Sequence, residues 1–297
     1  YSPRRIRSTL VAVMFSGYAI GGMLSAVLGI WIVPQFGWQV MFYLAVIPLL
    51  LLPLIWTQLP DSVAFLVRQG KIAEARKVLA ALTGKPLPDD AELAVHQPQK
   101  TEQSLAALFS NNRALSTLMF FQAFFMCLLM VYGLGSWLPK LMTMAGYGFG
   151  SSLMFLLFLN IGGIIGAIGG GWLSDRFHPR PVLMLFFTLA AVSLALLGFK
   201  SHVAVLYFLV TVAGATTIGS QILLYAYVAQ FYPTAIRSTA LGWSSGVGRI
   251  GAILGPVLGG ALLAMPLSHQ MNFLAFVVPG ALAVIAIMLT AGRKEAV

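Results

Sequence analysis

Charged residues are scarce in this chain of 297 residues, and acidic ones are the scarcest. Asp, Glu, Lys and Arg make up 9% of the sequence, whereas 59% of it is hydrophobic. Soluble domains carry about 25% charged residues, so the composition excludes a soluble globular protein. The single cysteine, Cys127, excludes a disulfide-bonded scaffold. The four histidines are scattered without metal-type spacing, so we predict neither an enzyme nor a metal site, and no cofactor.

Long apolar runs are what the sequence has instead. A helix needs about 20 apolar residues to cross the hydrocarbon core of a bilayer. Nothing in the runs shows the alternation of a membrane β-barrel, so the spans are helices. We therefore predict an all-α, polytopic membrane helix bundle with eight spans in this chain. The runs lie at about 8–33, 39–58, 115–138, 149–173, 181–199, 203–229, 238–264 and 271–291.

Positive charge is concentrated on one side of the predicted membrane. The side that holds both ends of the chain carries fifteen Lys and Arg residues, whereas the other side has Lys140 and Lys200. Because cytoplasmic connections carry such an excess, we expect a multi-pass protein of the plasma membrane (the inner membrane of a bacterium) with both termini cytoplasmic. The net charge of +10 then reflects topology and contact with the lipid bilayer, and predicts no nucleic-acid partner. The fifteen are Arg4, Arg5, Arg7, Arg68, Lys71, Arg76, Lys77, Lys85, Lys100, Arg113, Arg176, Arg180, Arg237, Arg293 and Lys294.

The tetrapeptide IRST occurs twice, at 6–9 and at 236–239. Residues 3–29 align with 233–259 without a gap, and eleven of the twenty-seven positions are identical. The identical positions include the polar tetrapeptide IRST near one end of the alignment and the tripeptide VLG at the other end, in one register. This pattern indicates a duplication. We interpret it as two halves related by an axis along the membrane normal, as in one class of secondary transporter.

The duplication predicts how the chain is organised. Four predicted spans precede the second copy and one follows it, whereas the first copy is followed by one span, 39–58. By symmetry we expect four further helices before Tyr1 in the whole protein, so that eight of twelve are present and the missing N-terminal helices are partners. A natural eight-helix protein is the alternative. The predicted parts are 1–58, two spans of the N-terminal half; 59–114, a cytoplasmic loop with an amphipathic helix near 71–83; and 115–297, the C-terminal six-helix half.

Several motifs resemble the major facilitator superfamily. "GGGWLSDRFHPR" (169–180) is similar to its loop motif G-x-x-x-D-R-x-G-x-R, with His178 where the motif has glycine. "LPDSVAFLVRQG" (59–70) is similar to the stretch after the sixth helix of the family, with Asp61 replacing glutamate. "GSWLPKLM" (135–142) and "GVGRIGAILGPVLGG" (246–260) are similar to the aromatic acid:proton symporters. The resemblance implies a twelve-helix transporter that works by alternating access.

Arg249 is the charge that we place deepest in a predicted span. It lies twelve residues after Arg237, so about 18 Å from the cytoplasmic mouth at 1.5 Å per residue. Such a residue costs about 2.5–3.5 kcal/mol on insertion scales. Its planar guanidinium matches a carboxylate bidentately, so we predict an anion-binding role. The alternative is an arginine satisfied by backbone carbonyls or by an acid outside this chain.

Other polar and aromatic side chains reach comparable depths in the spans. They offer aromatic walls and a few orienting hydrogen bonds, as ligand pockets do. For each of them interhelical packing is the alternative. The predicted substrate-binding set is Arg249, Gln221, Tyr225, Gln122, Asn160, Tyr132 and Trp137.

The loop motif and the two repeat arginines lie at the predicted cytoplasmic mouths. The resemblance implies a gating role, in which the motif carboxylate binds charges and helix ends across the two halves in one conformation. A helix-boundary cluster that serves orientation alone is the alternative. The predicted gating set is Gly171, Asp175, Arg176, Arg180, Arg237 and Arg7.

The combined prediction is a secondary active transporter that takes up a small organic anion, an aromatic carboxylate, together with protons. Every acidic residue but Asp175 lies well away from the spans. We therefore expect a proton-binding acid in the preceding helices, and no transport by these 297 residues alone. An exporter of drugs or metabolites, and a symporter of a sugar or a non-aromatic acid, are the alternatives. A buried arginine argues against cationic drugs.

Overall fold

The computed structural model describes residues 7–44, 46–50, 52–53, 57, 61, 63–83, 105–199, 201–233 and 235–290. Within these ranges the regular secondary structure is helical. Five helices come first: α1 (Arg7–Phe36), α2 (Gln39–Leu44), α3 (Ile47–Leu50), α4 (Val63–Arg68) and α5 (Ile72–Thr83). A short 3₁₀ turn, Leu105–Leu108, leads into six long ones: α6 (Ala114–Met144), α7 (Phe149–Phe177), α8 (Pro179–Leu197), α9 (Val203–Phe231), α10 (Arg237–Ala264) and α11 (His269–Leu289).

The six long helices confirm six of the predicted spans, because within the described ranges each is long and apolar enough to cross a membrane. The first predicted span is α1, whose segment Ile20–Phe36 is apolar. The second, 39–58, contains α2 and α3, and several of its residues lie outside the described part of the chain.

One predicted boundary was wrong. We ended the third span at residue 138 and assigned Lys140 to a connection, but α6 continues to Met144 with Pro139 inside it. The helix continues because Leu141 and Met142 are buried, at 2% and 1% exposure. It ends where Gly146 takes a φ of +99°, with backbone N–H groups returning to the carbonyls of the last turn.

Glycine allows the long helices to pack with their backbones in contact. In α7, Gly162 and Gly166 lie against the backbone of α9 at Thr211 and Ala215, leaving no room for a Cβ. In α10, Gly251 lies in the same way against the Phe125 carbonyl of α6. These glycines, spaced four residues apart or aligned with a neighbouring carbonyl, therefore form close-contact seams between the helices.

Both IRST copies contribute residues to long helices. The second copy begins α10 at Arg237, and the described residues of the first copy, from Arg7 onward, lie in α1. α1 packs along α7, while α10 packs along α6. Gly17 and Gly21 of α1 have open space where a Cβ would stand. Gly251, the repeat partner of Gly21, has none.

The predicted amphipathic helix of the loop is confirmed as α5. It packs against α4, where Leu66 and Ala75 are buried at 2% and 0% exposure. Residues 84–104 of the predicted loop lie outside the described part of the chain.

The α7–α9 seam leads to a stability prediction with a control on the same helix. We expect Gly166→Ala to lower the stability of the purified protein by about 1–3 kcal/mol, because the new methyl group overlaps the Ala215 carbonyl. Gly169→Ala adds the same methyl group to the same helix where nothing lies within 4 Å, and should leave stability unchanged or slightly raised. Thermal unfolding in detergent measures the stability of both variants. Equal unfolding midpoints for the two variants would contradict the close backbone contact at Gly166.

Candidate functional site

Arg249 lies near the middle of α10, as the sequence predicts, and its side chain reaches α6. Its Nη1 donates a hydrogen bond of 2.8 Å to the hydroxyl of Tyr132. The side chain is exposed, and no carboxylate pairs with it among the described residues. A guanidinium has five N–H donors, so most of its donors have no partner within the described part of the chain.

Tyr225 of α9 joins this cluster through a residue that we did not predict, Ser245. The Tyr225 side chain lies beside Ser245 and within electrostatic range of Arg249 and Tyr132. Ser245 sits one helical turn before Arg249 on the same face of α10. That i, i+4 relation to the deep arginine is a signal in the sequence that would have found Ser245.

Aromatic contact holds the Tyr225 ring in place. The ring of Phe124 meets it edge to face, with centroids 5.0 Å apart. Tyr132 and Tyr225 are each half-buried, and they come from different helices, α6 and α9. Three helices therefore bring together one cation and two phenols, which we call the Arg249 cluster: Tyr132, Tyr225, Ser245 and Arg249.

Two other predicted site residues bind neighbouring backbone. The Gln122 amide nitrogen lies 3.5 Å from the Leu282 carbonyl of α11, on a different interface of α6. The Trp137 indole donates a 2.7 Å hydrogen bond to the Pro256 carbonyl of α10 and packs on Gly259. Both contacts join helices, and neither residue forms a hydrogen bond with the Arg249 cluster in the described part of the chain.

Asn160 and Gln221 complete the predicted set. Asn160 is buried between α7 and α1, where its amide nitrogen donates to the Leu156 carbonyl at 2.8 Å and its side chain lies against Gly22. Gln221 is half-buried on α9, one turn from Tyr225, and has no hydrogen-bond partner among the described residues. It is thus the nearest of the remaining predicted residues to the cluster along the chain.

The loop motif spans the junction of α7 and α8. Asp175 and Arg176 are exposed in the last turn of α7, and Gly171 has open space around it. The Arg176 guanidinium lies 5.8 Å from the ring centroids of both Trp172 and Phe177. No described residue forms an ion pair with Asp175, so its predicted gating role stays a prediction.

Arg180, the last motif residue, binds the end of α11. Its Nη2 donates to the Met288 carbonyl at 2.7 Å and its Nε to the Ile287 carbonyl at 3.4 Å. These carbonyls belong to the last turn of α11, where C=O groups lack partners within the helix, and the Ile287 carbonyl also accepts a hydrogen bond from the Thr290 hydroxyl. A cation there also opposes the negative end of the helix dipole. The contact lies within the six-helix part of the chain.

Arg7 and Arg237 occupy equivalent positions in the repeat. Arg237 begins α10, and its Nε donates to the Tyr232 carbonyl at 3.4 Å, across the turn that joins α9 to α10. The side chain of Arg7 lies outside the described part of the chain.

Two family models together match most of the chain. One, described as Sugar (and other) transporter, matches residues 1–136, and the other, Major Facilitator Superfamily, matches residues 161–296. The chain belongs to the major facilitator superfamily. Its relatives in this superfamily are transporters and not enzymes, as the sequence predicts.

Curated superfamily relatives carry names of aromatic-acid transporters. The benzoate transport protein of Acinetobacter baylyi is 45% identical over 99% of this chain and 64% of its own length. The gentisate transporter of Corynebacterium glutamicum is 37% identical over 92% of the chain and 57% of its own length. The 4-hydroxybenzoate transporter PcaK of Pseudomonas aeruginosa is 36% identical over 97% and 66%. This chain thus spans somewhat less than two thirds of the length of these relatives.

Solved superfamily structures share the fold. The proton:xylose symporter XylE matches with a TM-score of 0.64 and 18% identity, over 96% of this chain and 64% of its own. The fucose:proton symporter FucP of Escherichia coli matches with a TM-score of 0.58 and 16% identity, over 75% and 54%. The match to XylE extends over nearly all of the helices described above.

His178, which stands where the superfamily motif has glycine, has a φ of +71° and a ψ of 145°. This region is essentially restricted to glycine and costs about 1–3 kcal/mol for other residues. We therefore expect His178→Gly to raise the free energy of unfolding by about 1 kcal/mol. The substitution relieves the backbone strain, and the greater conformational freedom of glycine in the unfolded chain offsets part of that gain.

His202 provides the matched control for that change. It also precedes a helix and its Nδ1 also accepts a hydrogen bond from the backbone N–H two residues on, but its φ is −58°. His202→Gly relieves no strain and should lower stability by about 0.5–1 kcal/mol. Thermal unfolding in detergent compares the two, and a loss of stability in both variants would show that His178 is unstrained.

Proposed function

We propose that the full-length protein takes up a small aromatic carboxylate together with protons, and that Arg249 binds the carboxylate. The observation that carries the proposal is the Arg249 cluster. A guanidinium near the middle of a membrane helix, held by a phenol at 2.8 Å and without a carboxylate partner among the described residues, is suited to an anion that arrives from outside the protein.

The cost of the arginine supports a function for it. A charge at this depth costs about 2.5–3.5 kcal/mol on insertion scales, and ionisable residues there mark substrate or ion pathways. One phenol accepts a single hydrogen bond from it. A bound carboxylate supplies two further acceptors in the plane of the guanidinium fork and neutralises its charge.

The relatives support the chemical class of the substrate. Benzoate, gentisate and 4-hydroxybenzoate, which name three of them, each join a carboxylate to an aromatic ring. In the Arg249 cluster the cation suits the carboxylate, while the half-buried rings of Tyr132 and Tyr225 offer aromatic surface. An exporter of cationic drugs fits poorly, because Arg249 would repel its substrate.

Transport by alternating access and proton coupling follow from the superfamily resemblance. We place the protein in the plasma membrane, the inner membrane of a bacterium, with both ends of this chain on the cytoplasmic side. In that orientation the α7–α8 loop motif and the start of α10 lie at the cytoplasmic mouth, where Asp175 and Arg176 are exposed for gating contacts.

Replacement of Arg249 tests the proposal. In cells that express the full-length protein, we expect Arg249→Gln to lower kcat/KM for radiolabelled benzoate at least roughly 30-fold, because a charge-paired hydrogen-bonding partner is lost. Arg249→Lys keeps the charge but not the planar fork, so uptake should also fall. Wild-type uptake should collapse when a protonophore removes the proton gradient.

Lys140→Gln is the control, since it removes a positive charge from the exposed outer end of α6. It should leave uptake unchanged at equal membrane abundance. Normal uptake by both Arg249 variants would show that the arginine has a structural role and does not bind the substrate. Absence of uptake of any aromatic acid by the wild type would instead favour export or another substrate.

A further inference from the structure

Arg176 is an exposed cation between two exposed aromatic rings, at the end of α7 that we place on the cytoplasmic side. Its guanidinium carbon lies 5.8 Å from the ring centroids of both Trp172 and Phe177, within the range of a cation–π interaction. Among the described residues the guanidinium forms no ion pair and no side-chain hydrogen bond. The two rings restrict the side chain, while its N–H donors stay available for a partner outside the described residues.

The side of α7 that carries Trp172 differs from the sides that contact α9 and α1. Gly166 lies against the backbone of α9, and Asn160 lies against Gly22 of α1. Successive residues of an α-helix are about 100° apart around its axis, so Trp172 points about 120° away from each of Gly166 and Asn160. These two neighbours therefore leave a third side of α7 uncovered within the described part of the chain.

This third side is apolar and continues towards the middle of the span. Ile165, Ile168 and Trp172 follow one another at helical spacing, and each is 56–60% exposed. Arg176 follows Ile165 by eleven residues, which correspond to about 16 Å along the axis. That length is roughly half of the ~30 Å thickness of the hydrocarbon core. Because α7 is a membrane span of a superfamily member, the stripe has the extent of one lipid leaflet with a cation at its headgroup end.

We propose that Arg176, Trp172 and the apolar stripe of α7 form a binding site for an anionic phospholipid of the cytoplasmic leaflet. The headgroup phosphate binds the Arg176 guanidinium, whose planar donors match phosphate oxygens. One acyl chain lies along Ile168 and Ile165. Trp172 lies at the boundary between headgroup and chain, the depth at which the amphipathic indole is enriched in membrane proteins.

The other charges of the loop motif are directed elsewhere. Arg180 donates to the Met288 carbonyl at the end of α11. Asp175 points about 100° away from Arg176 and only about 60° away from Asn160, so it lies towards the α1 side of the helix. Arg176 is thus the motif cation that faces the bilayer, and a lipid phosphate there leaves the carboxylate of Asp175 open to contacts between the two halves.

The experiment measures the binding of phosphatidylglycerol and of phosphatidylcholine to the purified full-length protein in detergent, by native mass spectrometry. We expect the wild type to bind phosphatidylglycerol more tightly. Arg176→Gln should raise the Kd for this lipid at least roughly 5-fold, the contribution of one cation at an anionic lipid surface, and should remove most of the preference over phosphatidylcholine.

Lys77→Gln is the matched control. It removes an exposed cation from α5, on the same side of the membrane, where no cation–π contact occurs among the described residues. Both Kd values should stay as in the wild type. A rise in the Kd for phosphatidylglycerol as large as that in Arg176→Gln would overturn the proposal, because it would reveal a general attraction between charges. An unchanged Kd in Arg176→Gln would overturn it as well.

A second measurement locates the lipid on the protein. Phosphatidylglycerol with brominated acyl chains quenches the fluorescence of tryptophans in contact with it, and Trp172→Phe keeps an aromatic ring beside Arg176. We expect less quenching in this variant than in the wild type. Equal quenching would place the lipid elsewhere and reject the site. Complete displacement of the lipid by inorganic phosphate would assign the cation to free phosphate and reject the acyl-chain contact. Neither measurement depends on which substrate the protein transports.

Discussion

The close contact between the backbones of α6 and α10 is the constraint on which the site depends. Gly251 and Gly255 of α10 lie against α6 carbonyls, so the two helices run closer together than larger side chains allow. Because of this approach, an arginine on α10 can bond the hydroxyl of Tyr132 on α6 at 2.8 Å. The glycine seam and the polar cluster are therefore two parts of one arrangement, the first setting the distance over which the second acts.

Three helices share the polar groups of the cluster, and this division has an energetic reason. An isolated guanidinium in hydrocarbon is costly, and a single helix has few side chains that can reach it. Tyr132 and Tyr225, from α6 and α9, provide polar hydroxyls on rings that are themselves apolar and pack well. The cluster thus reduces the cost of the charge without a carboxylate, whose presence would compete with an anionic ligand.

Much of the fold could be predicted from the sequence, because in lipid the length of an apolar run sets the length of a helix. The end of α6 could not, since the helix continues through Pro139 and Lys140, beyond the predicted end of the span at 138, to residues that are buried by neighbouring helices. Arg249 and Tyr225 were found from depth and periodicity. The direction in which Gln122, Trp137 and Asn160 point could not be found, because it depends on the rotation of each helix against its neighbours, which composition does not encode. Ser245 was missed although it lies one turn before Arg249, because a serine inside a helix commonly bonds the backbone of its own helix, as Ser245 does with the Gly242 carbonyl.

Arg180 links two parts of the fold that are distant in sequence. It lies in the first turn of α8, next to the loop motif, and it donates to the carbonyls of Ile287 and Met288 at the end of α11. A change in the tilt of α8 therefore withdraws two donors from the end of α11. The loop motif and the last long helix are in this way coupled although 107 positions separate Arg180 from Ile287.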